Sequence, residues 1–264
     1  MHEYINKKDS RLIIATGTDS GYLPKIQTYL DTIQENSNFD ENWIFFVGGD
    51  HQEARSKFKV AKVNPSDCKA LVPSWPCVQH GDFLTSKDHD FNPNDIIVFT
   101  DGDMFLQRPL TDTENKWLRD LKYMDISMGY NAGPNDTLLD EGARINPIKD
   151  WRKIDKVDQI PCSNGGVIAC TYATYQQLYE QYLIHWPIID EIFHHYAKGQ
   201  WLISWVISST VGFNLIRQPY TFHMHNHHPM PQGSAFNDEG LLTFEGEVVA
   251  FRHYTPYGHQ PPKL

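Results

Sequence analysis

Residues 95–105, "DIIVFTDGDMF", decide how the chain is read. The apolar and β-branched run from Ile96 to Thr100 predicts a buried strand, and it stops on two aspartates, Asp101 and Asp103, with only Gly102 between them. Two carboxylates this close disfavour each other's ionisation unless a cation holds both charged. Oxygen ligands suit hard divalent ions, Mg²⁺ or Mn²⁺, and Mg²⁺ of this kind is often shared between one or two carboxylates and the phosphates of a substrate. Gly102 lets the backbone approach a ligand with no Cβ in the way. Asp-Gly is also a common turn dipeptide with, here, a solvated acidic neighbour; placement directly behind a buried strand favours a metal or phosphate site.

Upstream, "RLIIATGT" (11–18) is a second short apolar run that stops near a glycine, as a buried parallel strand does. In "DSGYLPKIQTYLDTIQEN" (19–36), Pro24 suits a first helical turn, and Ile26, Tyr29, Leu30 and Ile33 recur with the helical period. "WIFFVGG" (43–49) is a further strand, so the chain opens as a βαβ unit of the kind that builds parallel sheets. Ligands of such sheets collect at the carboxyl ends of the strands, which is where Asp101 and Asp103 fall. Downstream, "YMDISMGYN" (123–131) reads as a strand and "NAGPNDTLLDEG" (131–142) as a loop. In "GGVIACTYATYQQLYEQYLIHW" (165–186), a strand over Val167 to Cys170 leads into a helix marked by Tyr175, Leu178, Tyr179 and Tyr182. "FEGEVVAFRHYTPYGHQPPKL" (244–264) predicts one strand and a Pro/Gly-rich tail, whereas residues 61–94, with Pro65, Pro73, Pro76 and Pro93, predict no particular element. Without repeats or linker-like tracts, the expectation is one α/β domain over residues 1–264, a mixed, mainly parallel sheet flanked by helices.

The 23 basic and 33 acidic side chains leave a net charge of -10, which opposes binding to nucleic acid or anionic lipid. No apolar stretch approaches the roughly 20 residues of a membrane span. The apolar part of "MHEYINKKDSRLIIATG" is too short for a signal peptide, so a cytoplasmic location is expected, with Cys68, Cys77, Cys162 and Cys170 reduced. None of the four lies in a C-x-x-C pair that would suggest structural zinc.

Four segments together resemble one known group. "DIIVFTDGDMFLQRPL" looks like the D-x-D segment of nucleotide-sugar glycosyltransferases of the GT-A fold, including its "-rPL" tail. "IIATGTDSGYLPKIQTYLDTIQEN" resembles their nucleotide-binding start, "CSNGGVIACTYATYQQL" their "N-x-G-V" strand and helix, and "VVAFRHYTPYGHQPPKL" the "HYxG…KPW" ending of retaining glycosyltransferases of family 8. The order is the family's and the segments span nearly the whole chain. The resemblance implies a GT-A domain with a nucleotide-binding half over about residues 1–110 and an acceptor half over about 111–264. It implies Mn²⁺ or Mg²⁺ held by Asp101, Asp103 and His253, a UDP-sugar donor with its diphosphate near Lys263 and its nucleoside near Thr16 and Tyr22, and a saccharide or other hydroxyl acceptor. Asn164 would meet the donor sugar and Gln200 would lie beneath the anomeric carbon of a retaining enzyme. Two positions depart from the pattern: Gly199 precedes Gln200 where the family carries Asp, and the chain ends Pro-Pro-Lys-Leu in place of Lys-Pro-Trp.

Several of these residues have plainer readings. Asn164 suits a turn before Gly165, His253 an ordinary strand end, and Lys263 a solvated terminus. Asp190 and Glu191 read as a solvated helix start; for an inverting reaction, which needs a carboxylate base, they are the nearest candidates. His223, His225, His227 and His228 are expected as exposed residues of a Pro-flanked loop, with a transition metal or a sugar pocket as alternatives, and Trp201 and Trp205 are expected in the core. Two other functions compete. A haloacid-dehalogenase-type phosphatase also uses D-x-D with Mg²⁺, but places the first aspartate near its start and needs a later acidic pair that this chain lacks. A non-catalytic sugar-binding module could use the same metal and aromatics.

Overall fold

A computed structural model describes residues 10–19, 23–24, 26–47, 58–63, 88–131, 135–140, 156–192, 198–225 and 230–253. The first apolar run forms β1 (Leu12–Asp19), and α1 (Gln27–Asn36) returns along the sheet with Tyr29, Leu30 and Ile33 turned inward. Pro24 lies ahead of this helix instead of in its first turn, and Ile26 is the residue that precedes it. β2 (Glu41–Val47) and β3 (Lys59–Val63) extend the sheet in parallel on one side of β1, and β4 (Ile96–Thr100) pairs in parallel on the other.

Behind the aspartates come β5 (Met104–Leu106), α2 (Asp112–Arg119) and β6 (Asp125–Tyr130), then β7 (Ser163–Thr171), α3 (Tyr172–Ile192), α4 (Lys198–Ser209) and β8 (Asn214–Arg217). The seven-stranded sheet has the order β3-β2-β1-β4-β7-β6-β8, and only β7 runs antiparallel to its neighbours. The carboxyl ends of β1, β4, β6 and β8 therefore share one edge with the start of β7. Alternate residues bury both faces. Ile13, Phe45, Phe99 and Ile168 meet Tyr175, Leu178 and Trp201 of α3 and α4, whereas Leu12, Ile14, Val98 and Val167 meet Tyr29, Leu118 and Phe251.

Two short sheets finish the chain. β9 (His223–His225) pairs with β13 (Phe251–His253), which also pairs with β5, while β10 (Ser234–Phe236), β11 (Leu242–Phe244) and β12 (Glu247–Val248) form the other. The single late strand expected from sequence is thus interrupted. Glu245 and Gly246 both take positive φ, 51° and 87°, which folds β11 onto β12 through a tight hairpin before β13 begins. The histidines correct a second expectation: His223 and His225 are buried strand residues, because β13 offers them a ladder partner that no local pattern reveals. His227 and His228 lie outside the described residues, as do Tyr22, Lys263, Cys68 and Cys77. Trp201 is fully buried, and half-buried Trp205 packs on His185, as core residues should. Among the described residues no helix is long and apolar enough to cross a membrane.

Candidate metal and donor site

Asp101 leaves the end of β4 with its backbone N–H bonded to the carbonyl of Gly166 in β7, 2.9 Å away. That bond aims the turn of Gly102 and Asp103 at β13, the strand that carries His253. Asp101, Asp103 and His253 each offer a ligand atom, and these atoms lie within 4.8 Å of one another. Asp101 is buried and Asp103 half-buried, with Asp103 Oδ1 3.2 Å from His253 Nε2.

The orientation of His253 is fixed from behind. Asn164 Oδ1 accepts from the Gly166 N–H at 2.8 Å and faces His253 Nδ1 at 3.3 Å. The oxygen of that amide is therefore toward the ring and Nδ1 donates to it, which turns Nε2 toward the Asp103 carboxylate, where it donates when the ring is protonated and offers a lone pair to a cation when it is neutral. A hydrogen-bonded second nitrogen is how metal-ligating histidines are commonly oriented. Gly166 leaves room for this: a Cβ there would sit 2.6 Å from His253 Nδ1 and 2.8 Å from Asn164 Oδ1. Burial opposes a charge on His253, but Asp103 and then Asp101 outweigh it and raise its pKa.

A parallel arrangement lies beside it. The register of β6 against β7 slips between Met128 and Gly129. Gln218 fills the gap, donating to the carbonyls of Ser127 and Val167 at 3.1 Å, so its Oε1 accepts from His223 Nδ1 at 2.9 Å. His223 rests on Gly129 as His253 rests on Gly166. Burial, then the neighbouring His253, lowers the His223 pKa well below the usual value, so it is a neutral ring. His225 packs edge-on against His253 with ring centroids 4.6 Å apart. Sequence reasoning missed these supports, together with Tyr29, whose buried phenol meets Thr100 Oγ1. Burial and the charges of Asp101 and Asp103 outweigh that hydrogen bond and raise its pKa, keeping it neutral.

Thr16 is buried in β1 and donates its hydroxyl to the Thr100 carbonyl at 3.0 Å, tying β1 to the strand that ends on Asp101. Gln200 lies in the first turn of α4, one turn before Ser204, whose Oγ accepts from the Ser163 N–H at 3.2 Å beside Asn164. Asp190 and Glu191 lie in the last turn of α3, not at a helix start. His185 and Trp205 bring the two helices together at ring centroids 4.9 Å apart.

No family model matches the sequence, and no curated protein matches it in sequence. Solved structures do match in fold. The galactosyltransferase LgtC, in complex with donor and acceptor sugar analogues, superposes with a TM-score of 0.60 at 14% identity, over 93% of this chain and 88% of that one. An active-site glutamine-to-glutamate mutant of LgtC gives 0.58 at 13%, over 92% and 87%. Mouse xyloside xylosyltransferase 1 in its apo form gives 0.56 at 11%, over 93% and 98%. The seven-stranded sheet, the single antiparallel strand and the helices on both faces are thus those of the GT-A glycosyltransferase fold.

Proposed function

We propose that this chain is a metal-dependent glycosyltransferase that moves a sugar from a UDP-sugar to a hydroxyl of a saccharide or other acceptor, with retention of configuration. The observation that carries the reading is the convergence of Asp101, Asp103 and His253 at the carboxyl end of β4, within 4.8 Å, on a GT-A sheet. The donor set fits Mn²⁺ or Mg²⁺: two hard carboxylates, and an imidazole already turned by Asn164 to present one nitrogen. Bound there, such an ion would supply charge to the departing diphosphate.

The chain's own residues bind and orient. One domain serves, its first half, about residues 1–110, holding the nucleoside near Thr16 and Tyr22, and the remainder holding the acceptor, with Lys263 at the diphosphate. The bond from the anomeric carbon to the β-phosphate oxygen breaks with its electron pair leaving on the phosphate, and the acceptor hydroxyl oxygen forms the new bond as its proton passes to the departing phosphate oxygen. Gln200, in the first turn of α4, would lie on the face of the sugar opposite the diphosphate. An amide there is too weak a nucleophile for an ordinary ester, so the acceptor attacks from the leaving-group face. The active-site glutamine of LgtC supports this choice. The alternative is inversion with Asp190 or Glu191, in the last turn of α3, as base. A dehalogenase-type phosphatase would carry its nucleophilic aspartate near the start of the chain; here both aspartates follow the fourth strand.

Incubation with a panel of UDP-sugars, Mn²⁺ and hydroxyl acceptors tests the reading. UDP release that requires both metal and acceptor is expected, with an α-linked product from an α-linked donor by proton NMR. A β-linked product moves the role to the carboxylates. Tight metal-dependent UDP binding with no turnover on any acceptor places the chain among sugar-binding modules.

A further inference from the structure

Arg217 ends β8 at the same carboxyl edge as Asp101, and it is half-buried. Its Nη1 donates to the Gly129 carbonyl at 3.0 Å and to Ser163 Oγ at 2.9 Å. Its guanidinium carbon lies 5.0 Å from the centroid of the Tyr130 ring, which leans on Tyr220 at 5.1 Å, and Tyr220 leans on Phe244 at 4.9 Å. Those two hydrogen bonds use both hydrogens of Nη1. The Nε–H and the two hydrogens of Nη2 meet no acceptor among the described residues, and together they form the side-on edge with which arginine grips a carboxylate or phosphate in two parallel bonds.

Other arginines of the fold are neutralised. Arg11 meets Asp95 at 2.6 Å, Arg108 meets Glu114 at 2.7 Å and Arg119 meets Asp40 at 2.8 Å. Arg217 has no carboxylate within ion-pair distance among the described residues, in a chain whose net charge is -10. Burial without such a partner lowers its pKa, with only Tyr130, Cys162 and Tyr220 acting in the other direction. A partly desolvated cation left unpaired is costly, and two hydrogen bonds to a carbonyl and a hydroxyl do not require a charge. The surroundings point to what completes it. Ser163 is followed in β7 by Asn164, which orients His253, and the Ser163 N–H bonds to Ser204, one turn after Gln200. The fork thus stands beside the place proposed for the sugar, flanked by tyrosine faces of the kind on which sugar rings stack.

We propose that the Nε and Nη2 edge of Arg217 binds an anionic group, a carboxylate or phosphate, carried by the saccharide handled at this site. The proposal rests on the glycosyltransferase reading and adds a substrate class to it: a uronic-acid or phosphorylated sugar, on either the donor or the acceptor.

Calorimetry with matched pairs of ligands separates the two sources. The donor arm compares UDP-glucuronate with UDP-glucose in Mn²⁺. The acceptor arm compares methyl β-glucuronide and glucose 6-phosphate with methyl β-glucoside, with and without UDP. In one arm the charged ligand should bind about tenfold or more tighter than its neutral counterpart, the range of a charge-assisted pair. Arg217→Gln should erase that preference, and Arg217→Lys, which keeps the charge and loses the fork, should restore only part of it. Equal affinity for charged and neutral ligands in both arms overturns the proposal, as does a preference that survives Arg217→Gln. Binding of UDP itself is measured on the same samples: its absence overturns the glycosyltransferase reading, while the acceptor arm without UDP still decides the role of Arg217.

Discussion

Gly166 and Asn164 fix the candidate metal site more tightly than its carboxylates do. A methyl group on Gly166 would fall within 2.6 Å of a buried imidazole that has nowhere to retreat. Gly166→Ala should therefore cost about 1–3 kcal/mol of stability in urea denaturation and weaken Mn²⁺-dependent UDP binding severely, because the ring must turn. Asn164→Ala removes only the acceptor behind His253, and should lower Mn²⁺ affinity by about 10–100-fold while the melting temperature changes little; unchanged affinity would deny Asn164 its orienting part. At this scale the sequence announced Asp101, Gly102 and Asp103, because a strand that ends on two carboxylates is a local pattern. It named His253 and Asn164 only by likeness. The reason for Gly166 was not legible, since the atom it avoids belongs to a strand almost ninety residues away.

The elements that hold the site depend on a few polar locks. Arg108, in the "-rPL" segment, grips Glu114 with two bonds of 2.7 and 2.8 Å and donates to the Val248 and Thr221 carbonyls, joining α2 to the small sheets. Arg108→Ala leaves Glu114 buried without its partner and should destabilise by about 3 kcal/mol, whereas Thr111→Ala, which removes only the capping hydroxyl of α2, should cost about 1 kcal/mol. Equal losses would assign Arg108 no more than a surface role. At the opposite edge, burial raises the pKa of Glu41, but hydrogen bonds from Lys59 and Trp43 and the charges of Arg11 and Lys59 outweigh it and lower the pKa overall. A lowered folded-state pKa gives stability that is present above the unfolded value, about 4.3, and is lost as pH falls through the folded one. Urea midpoints across pH 3 to 7 should fall less steeply for Glu41→Gln than for the wild type. UDP with Mn²⁺ should slow hydrogen exchange over residues 15–19 at the end of β1, and no change there would displace the nucleoside from this loop. Long apolar runs made β1, β2, β4, β7 and their helices legible. Strands of two or three residues carry no period, and apolar content is silent on direction, so neither the small sheets nor the reversal of β7 could be read.

On the scale of the whole molecule, short segments far apart in sequence meet at the carboxyl edge of the seven-stranded sheet, with β13 of a small sheet brought against it. Their order along the chain was legible and led to the fold, but the surroundings of Arg217 were not, because Arg217, Tyr130, Ser163 and Tyr220 meet only through β6, β7 and β8. A ligand that binds the folded chain alone stabilises it by about 2.7 kcal/mol at a hundred times its Kd, so UDP should raise the melting temperature with Mn²⁺ present and not with a chelator. The central claim is that Asp101, Asp103 and His253 hold a divalent ion against a nucleoside diphosphate. Its most direct test is calorimetric titration of UDP into wild-type protein and Asp103→Asn, each with Mn²⁺ and with a chelator. Saturable binding to the wild type only with Mn²⁺ is expected, and none to Asp103→Asn despite a wild-type circular dichroism spectrum. Wild-type UDP affinity in Asp103→Asn, or binding indifferent to the metal, would contradict it.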